Sequence, residues 1–250
     1  MEFEPLVYVA LGCVGLVAGF VDAIAGGGGL IAVPALISVG LPPVLAFGTN
    51  KAQSAIGTLI AAITYWRRGL VSLTALAVAI PVTFAGSFLG ALAVKSVDTS
   101  VLQVAVPLAL IAIALYFAFA PRLSDADRHA RLRFATFVPV MGFLIGFYDG
   151  LLGPGTGSFM TMGFVTLFGL GVTRASANTK VLNLTSNIGA LALFIGTGDV
   201  LWPAVAVMAI GQMLGGYLGA RAGIRFGARL IRPLVVIISI ALALRLLVFR

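Results

Sequence analysis

The sequence predicts an all-α polytopic membrane protein built from two homologous repeats of about five segments each, with one short broken or re-entrant helix per repeat. Three observations lead to this fold class. Of the 250 residues, 60% are hydrophobic and only 10% are charged, whereas soluble domains carry about 25% charged residues. Apolar stretches long enough to cross a hydrocarbon core about 30 Å thick recur along the chain. Glycine-rich motifs of the first half return in the same order in the second half.

The first half, residues 1–120, is predicted to form the N-terminal membrane repeat. Its first helix covers about Pro5 to Ala25 and ends at consecutive glycines, each of which destabilises a helix by about 1 kcal/mol relative to alanine. The short apolar piece that follows, Leu30 to Leu41, spans only about 18 Å at 1.5 Å per residue, which is part of a bilayer. Further helices are predicted over about Ala46–Tyr65, Leu70–Val94 and Val101–Ala120.

A polar and basic linker, residues 121–133, joins the halves, and residues 134–250 form the second predicted repeat. This half follows the order of the first: a helix near Phe134–Leu152 ends in a Gly/Pro-rich break, and a short piece covers Ser158–Leu170. The remaining predicted helices lie near Ala175–Ile195, Trp202–Arg221 and Leu230–Phe249.

The register of the duplication is constant over several unusual residues. An offset of 127 residues relates Asp22 to Asp149, and an offset of 129 relates Lys51 to Lys180. The same two offsets relate further glycines of the two halves, among them Gly26 to Gly153, Gly28 to Gly155, Gly86 to Gly215 and Gly90 to Gly219. Such agreement predicts an internal duplication.

Arginine-rich loops indicate the topology, because basic residues accumulate in the cytoplasm. These loops are 66–69, the linker 121–133, and the segment that carries Arg221, Arg225, Arg229 and Arg232. All of them are cytoplasmic only if the short piece 158–170 counts as a crossing. Each repeat then has an odd number of segments and the halves are inverted, a common plan among secondary transporters. If the short pieces re-enter without crossing, the basic loops fall on opposite sides; the sequence favours the inverted arrangement.

Both glycine-rich breaks are predicted to form part of a ligand site. A break that opens onto a new helix presents backbone N–H groups and the positive end of the helix dipole, which together suit an anion. Lys51 and Lys180 stand near helix starts, where this dipole disfavours a cation, so an anionic partner would resolve the conflict. Snorkelling of both lysines to the interface is the structural alternative. The Gly-xxx-Gly pairs, Gly86/Gly90 and Gly215/Gly219, instead predict close packing between helices.

The sequence therefore predicts that both lysines and both helix starts converge on one anionic substrate. The predicted substrate-binding residues are the glycine breaks and the polar positions that follow them: Gly26, Gly27, Gly28, Gly29, Thr49, Asn50, Lys51, Gln53, Gly153, Gly155, Thr156, Gly157, Asn178, Thr179, Lys180 and Asn183. Additional polar residues expected along the path are Ser54, Thr185, Ser186 and Asn187.

Asp22 and Asp149 admit two interpretations that the sequence leaves open. They either pair with the lysines or cap the breaks as structural carboxylates, or one of them titrates and couples proton movement to transport. With one histidine, one cysteine and no clustered acids, no metal site is predicted. No cofactor fingerprint or catalytic residue is recognised either. The net charge of +8 is attributed to topology and to anionic lipid headgroups, and not to nucleic-acid binding.

At these motifs the sequence resembles the sulfite exporter TauE/SafE family, also called the toluenesulfonate uptake permease family. The resemblance rests on Gly-Phe-Val-Asp-Ala-Ile-Ala-Gly-Gly-Gly-Gly (19–29) and Ala-Phe-Gly-Thr-Asn-Lys (46–51) in the first half. In the second half it rests on Gly-Pro-Gly-Thr-Gly-Ser-Phe (153–159) and Ala-Asn-Thr-Lys-Val-Leu-Asn (177–183).

This resemblance implies a multi-pass secondary transporter of the bacterial inner membrane, not an enzyme, that exports sulfite, sulfoacetate or a related organosulfonate. The partners it implies are a small anion and membrane lipid; the oligomeric state stays open, a homo-oligomer included. A cation or metal transporter, an anion channel of the same architecture, and a structural or assembly protein of the membrane are the competing hypotheses.

Overall fold

The computed structural model describes residues 3–98, 100–102, 104, 108, 125–227 and 230. The regular structure of these residues is helical, without a β-strand. Its helices are α1 (Pro5–Ala25), α2 (Gly29–Ser38), α3 (Pro43–Trp66), α4 (Leu73–Leu76), α5 (Ala79–Lys95), α6 (Phe134–Leu151), α7 (Thr156–Thr166), α8 (Val172–Gly196) and α9 (Trp202–Phe226). The predicted helices 101–120 and 230–249 lie outside the described residues, except at a few separate positions.

Both predicted breaks are present, and glycine makes them possible. Helix α1 ends at Gly26, which has a φ of 75° and whose N–H donates to the carbonyl of Asp22 at 2.8 Å. The second break contains Gly153 and Gly155, with φ values of 88° and 82°. This left-handed conformation carries no steric penalty for glycine. The short helices α2 and α7 begin directly after the breaks.

One predicted helix, Leu70–Val94, is wrong as a continuous element. The structure has instead the single turn α4, whose start is capped where Ser72 Oγ accepts from the N–H of Ala75 at 3.3 Å, followed by a break and then α5. The physical reason is Pro81, whose ring would clash with the carbonyl four residues earlier in an uninterrupted helix. Pro81 is tolerated in the first turn of α5, because the N–H groups there have no intrahelical partner.

Three described helices, α1, α6 and α9, are long and apolar enough to cross a membrane by length and composition. Helices α3 and α8 are also long, with 24 and 25 residues, or about 36 Å at 1.5 Å per residue. Their mean hydropathy is reduced by polar side chains, which are buried inside the protein. Lys51 and Lys180 are among these buried polar residues, which explains the lower mean hydropathy of the two helices.

The first helix of each half packs against a late helix of the other half. Helix α1 packs along α9, and α6 packs along α5. The predicted role of the Gly-xxx-Gly pairs is confirmed at both interfaces. A Cβ atom on Gly90 would lie 2.0 Å from the carbonyl oxygen of Phe147, and one on Gly215 would lie 2.1 Å from that of Leu16. The absent side chains allow this close approach of backbones.

The direction of the helices follows from the order of these contacts. Gly15 of α1 meets Met208 of α9, and further along both helices Phe20 meets Gly219, so α1 and α9 run parallel. Gly86 of α5 meets Phe143 of α6, and Gly90 meets Phe147, so α5 and α6 also run parallel. Helix α2 folds back along α1, because Gly28 at its start lies against Ala18.

Helices α3 and α8 form the centre of the molecule and run antiparallel. Gly48, near the start of α3, lies against Phe194, near the end of α8. Tyr65, near the end of α3, shares a buried cluster with Ala177, near the start of α8. The two central helices, which carry Lys51 and Lys180, therefore point in opposite directions.

The described part of the linker, residues 125–133, lies against the start of α8. Asp127 Oδ1 accepts from the N–H of Gly171 at 2.6 Å, Arg174 Nη1 donates to Asp127 Oδ2 at 2.5 Å, and Asp125 Oδ1 accepts from Thr173 Oγ1 at 2.7 Å. The hydrogen bond from Gly171, aided by the Arg174 guanidinium, lowers the pKa of Asp127 below its usual value. The sequence marks the linker by its basic residues. In the structure two carboxylates, Asp125 and Asp127, bind it to the start of α8, because negative charge is favoured at a helix N-terminus.

The basic segments lie at one end of the helix bundle. Gly223 of α9 faces the hydroxyl of Tyr65 at the end of α3, and Gly227 faces the carboxylate of Asp125 in the linker. The ends of α3 and α9 and the linker are therefore neighbours, as the topological argument from arginine content requires.

Candidate functional site

The two glycine breaks meet in the interior. A Cβ atom on Gly26 would lie 2.4 Å from the Cα of Gly157, so the two backbones are in direct contact. Ser158, in the first turn of α7, donates its N–H to the carbonyl of Gly26 at 3.2 Å and its hydroxyl to the carbonyl of Ala25 at 2.5 Å. One N–H of α7 is therefore engaged and unavailable to a ligand, which the prediction of free helix starts did not include.

Two buried ion pairs join the halves at this crossing. Lys51 Nζ lies 2.6 Å from Asp149 Oδ1, with both side chains 2% exposed. Lys180 Nζ lies 3.1 Å from Asp22 Oδ2 and also donates to the backbone carbonyl of Asp22. Each lysine is thus bonded to the carboxylate of the other half, in a reciprocal arrangement that follows the repeat.

Hydroxyl groups hold the carboxylates in place. Thr156 Oγ1 donates to Asp149 Oδ1 at 2.7 Å, and Thr58 Oγ1 donates to Asp22 Oδ2 at 3.4 Å. Sequence reasoning missed Thr58, although it lies two helical turns after Lys51 on the same face of α3. Asp149 Oδ2 is buried without a hydrogen-bond partner among the described residues, which leaves one carboxylate oxygen free to accept a proton or a donor.

A narrow polar cavity lies between the ion pairs and the breaks. It offers about 10 Å³ to the centre of a water molecule, enough for about one water. The described conformation therefore leaves little room for a ligand at the site. The residues that line the cavity are Asp22, Gly26, Gly29, Asn50, Lys51, Ser54, Asp149, Gly153, Gly155, Thr156, Gly157, Asn183 and Asn187.

Most of the predicted site residues are thus brought together, with Ser54 and Asn187 from the predicted path. The predicted residues that do not line this cavity are Gly27, Gly28, Thr49, Gln53, Asn178, Thr179 and Lys180. The polar side chains among them form hydrogen bonds outside the cavity. Thr49 Oγ1 accepts from the N–H of Leu201 at 3.0 Å, and Gln53 Nε2 donates to Asn50 Oδ1 at 2.8 Å.

The second-half residues outside the cavity likewise have structural contacts. Asn178 Nδ2 donates to the carbonyl of Arg174 at 2.8 Å, and Thr161 Oγ1 donates to Thr179 Oγ1 at 3.1 Å. Lys180 is engaged by Asp22. The cavity is therefore asymmetric, with Lys51 on its wall and Lys180 behind it.

The charges of the site cancel in this conformation. Because each lysine is bonded to a carboxylate and only Lys51 lines the cavity, the convergence of both lysines on one anion remains a prediction, as does proton coupling through Asp22 or Asp149. Within the described ranges no group of three or more His, Cys, Asp or Glu side chains could hold a metal ion. The polar side chains around the cavity include hydrogen-bond donors, Asn and Thr, of the kind that bind oxyanions.

A helical membrane protein with broken helices that meet at buried, reciprocally paired charges has the features of a transporter. Its relatives are named as probable membrane transporters. The probable membrane transporter protein ORF9 of Sinorhizobium sp. is 48% identical over 231 residues, which are 92% of this chain and 88% of that protein. Similar proteins occur in Haemophilus influenzae, 46% identical over 91% of this chain and 89% of the relative, and in Escherichia coli K12 (YfcA), 44% identical over 98% and 91%.

The family described as Sulfite exporter TauE/SafE matches residues 11–246, so the chain belongs to this family. The resemblance seen in the glycine and lysine motifs is therefore confirmed. The chain is a multi-pass membrane transporter of the TauE/SafE family.

Proposed function

We propose that the protein is a secondary transporter that moves a small sulfur-containing anion, such as sulfite, sulfoacetate or a related organosulfonate, across the bacterial inner membrane. Export by alternating access is the proposed direction and mechanism. The observation that carries this proposal is the reciprocal pair of buried Lys–Asp bonds at the point where two broken helices meet. The family description, which names sulfite, supports the substrate class.

A lysine of the site can bind an anion only if its ion pair with the carboxylate breaks. In the described conformation Lys51 is bonded to Asp149 and Lys180 to Asp22. An anion that enters would add a net charge to a buried and otherwise neutral site, which is energetically costly. A proton on Asp149 would remove this charge and release Lys51 as a point-charge partner for the anion.

Asp149 is the stronger of the two candidates for proton coupling. Both carboxylates line the cavity, and each accepts from a lysine and a threonine through one oxygen. Asp149 differs in that its other oxygen, Oδ2, is buried and has no hydrogen-bond partner among the described residues. We therefore propose that protonation of Asp149 accompanies binding of the anion at this site.

Alternating access would use two inverted repeats, with the linker and the other basic segments in the cytoplasm. The antiparallel α3 and α8 and the exchanged α1–α9 and α6–α5 contacts support inversion, since they require α2 and α7 to reverse the chain direction. Rocking of one repeat against the other would widen the narrow cavity and open it to one side of the membrane at a time.

Ligand-induced thermal stabilisation of the detergent-purified protein tests the proposal. The probes are sulfite, sulfoacetate, taurine, sulfate and divalent cations. A ligand at 100 times its dissociation constant adds roughly 2.7 kcal/mol. We expect a sulfur anion to stabilise the wild type, to do so more strongly at lower pH because a proton is bound with it, and to lose its effect in Lys51→Ala and Lys180→Ala.

Lys95→Ala is the matched control, because Lys95 pairs with Asp199 at the surface and outside the cavity. Anion stabilisation that survives both site substitutions would contradict the proposed site. Stabilisation by divalent cations alone would favour the cation-transporter hypothesis, and transport without saturation would favour a channel.

A further inference from the structure

A groove of about 420 Å³ lies between the ends of α3 and α9, at the end of the bundle where the basic segments meet. It is separate from the cavity at the glycine breaks. Its lining residues are Ile60, Ile63, Thr64, Arg67, Arg68, Tyr217 and Arg221. The groove therefore combines three cationic side chains with an apolar wall.

The three arginines have no carboxylate to neutralise them among the described residues, in which the ion pairs involve other cations. Arg221 is held in position by Tyr217, since its Nη1 donates to the tyrosine hydroxyl at 2.9 Å and its guanidinium lies 5.3 Å from the ring centroid. Arg67 and Arg68 follow the C-terminus of α3, where the helix dipole favours cations. A guanidinium held in position, as in Arg221, with two more arginines beside it and no carboxylate partner among the described residues, suits a phosphate, which arginine binds in a bidentate manner.

The apolar wall of the groove continues into the lipid-facing surface. Ile63 and Ile60 lie one and two turns before Arg67. Leu59, next to Ile60 in the chain, and Leu218, next to Tyr217, are 44% and 52% exposed. A soluble anion would gain nothing from this wall. A ligand with an anionic headgroup and an acyl chain would use both the arginines and the isoleucines.

We propose that this groove is a binding site for an anionic phospholipid. The arginines of α3 and α9 bind the phosphate of the headgroup, and one acyl chain lies along Ile60 and Ile63. The lipid would thereby join the ends of two helices from different halves of the protein. This inference does not depend on the identity of the transported substrate.

The tryptophans of the chain provide a matched pair of reporters. The chain contains two, Trp66 and Trp202, which are 52% and 54% exposed. Trp66 precedes Arg67 beside the groove, whereas Trp202 begins α9 at the opposite end of the bundle. In bilayers of phosphatidylcholine, brominated lipids quench the tryptophan that they approach, so relative lipid affinity can be measured at each end.

We expect brominated phosphatidylglycerol to quench Trp66 in a Trp202→Phe variant at much lower mole fraction than brominated phosphatidylcholine does. Trp202, measured in a Trp66→Phe variant, should show no such preference. Each arginine near the surface contributes about fivefold to binding of anionic lipid, so Arg67→Gln/Arg68→Gln/Arg221→Gln should reduce the preference at Trp66 by about 100-fold.

Arg225→Gln is the charge-matched control for the single variant Arg221→Gln, since Arg225 is one turn further along α9 and does not line the groove. It should keep at least half of the preference. Arg221→Lys alone, which keeps the charge, supplies a second variant if the triple variant does not fold, and it should lose severalfold because lysine cannot bind in a bidentate manner.

Equal quenching of Trp66 by both lipids would overturn the proposal, as would an unchanged preference in the triple variant. Competition by soluble glycerol phosphate at concentrations similar to those of the lipid would assign the arginines to a soluble anion instead. A preference of equal size at Trp202 would show general attraction to the basic protein, and would also overturn a specific groove.

Discussion

At the scale of single residues, Lys51 and Asp149 depend on each other, because both are almost completely buried. Removing one partner of a buried ion pair costs about 3–5 kcal/mol, whereas replacing both by apolar residues is often close to neutral. We therefore expect Asp149→Leu to lower the free energy of unfolding strongly, and Lys51→Met/Asp149→Leu to recover most of that loss. Thermal unfolding in detergent measures both, and the double variant should be unable to bind the anion.

The exposed pair of Arg174 and Asp127 is the comparison for this experiment. Its side chains are 55% and 48% exposed, so Arg174→Met should cost at most about 1 kcal/mol. If Asp149→Leu were as mild as Arg174→Met, the buried pair would not contribute to stability in the way its burial implies.

The sequence predicted that these charged residues are important, and pairing of the aspartates with the lysines was one of its two interpretations, but it could not tell which aspartate pairs with which lysine. Lysines and aspartates in apolar helices are unusual enough to mark a site. The pairing of Lys180 with Asp22 spans 158 residues, and no local pattern records it. The same limit explains why Thr58, which has no unusual sequence context, was missed.

At the scale of helices, the glycines of α5 and α6 determine how closely the two helices approach. A Cβ atom on Gly90 would lie 2.0 Å from the carbonyl oxygen of Phe147, and backbone cannot move aside cheaply. We expect Gly90→Ala to destabilise the protein by about 1–3 kcal/mol, in the range of overpacked cores. The loss should appear as a lower Tm in detergent.

Gly196→Ala is the control within a helix, because a Cβ atom there would meet nothing within 4 Å. It should be neutral, or stabilising by at most about 1 kcal/mol, since alanine favours helix. An equal loss of stability in both variants would contradict the packing interpretation.

Helix positions were largely predictable, since apolar runs and glycine breaks are local signals. Helix α1 begins and ends at the predicted residues, Pro5 and Ala25. The break before α5 was missed because apolar residues continue through it. Pro81 was the residue that could have predicted this break, because its ring excludes a continuous helix by a steric clash, whatever the hydropathy of the segment.

At the scale of the whole molecule, the inverted arrangement predicts which connections share a face of the membrane. In a Cys13→Ser background, which removes the chain's one cysteine, we expect Ser38→Cys and Thr197→Cys to react with an impermeant maleimide from outside the cell. Ser72→Cys and Arg131→Cys should react only after permeabilisation, because the proposed topology puts the basic end of the bundle in the cytoplasm.

The pair Ser38 and Thr197 separates the two topologies. Ser38 ends the short helix before α3, and Thr197 follows α8, so parallel repeats would put these residues on opposite faces. Reaction of only one of them from outside would therefore contradict inversion. The duplication and the basic loops predicted this choice from sequence, whereas the direction of α2 depends on its contact with α1, which sequence does not contain.

The exchange of helices between the halves has a consequence for synthesis. Helix α1 meets its partner α9 about 200 residues later in the chain, a delay of roughly 10–40 s at 5–20 residues per second. During this interval the glycine-lined face of α1 is without its partner, as is the first half as a whole. We expect this early intermediate to need protection in the membrane, and neither half to assemble alone.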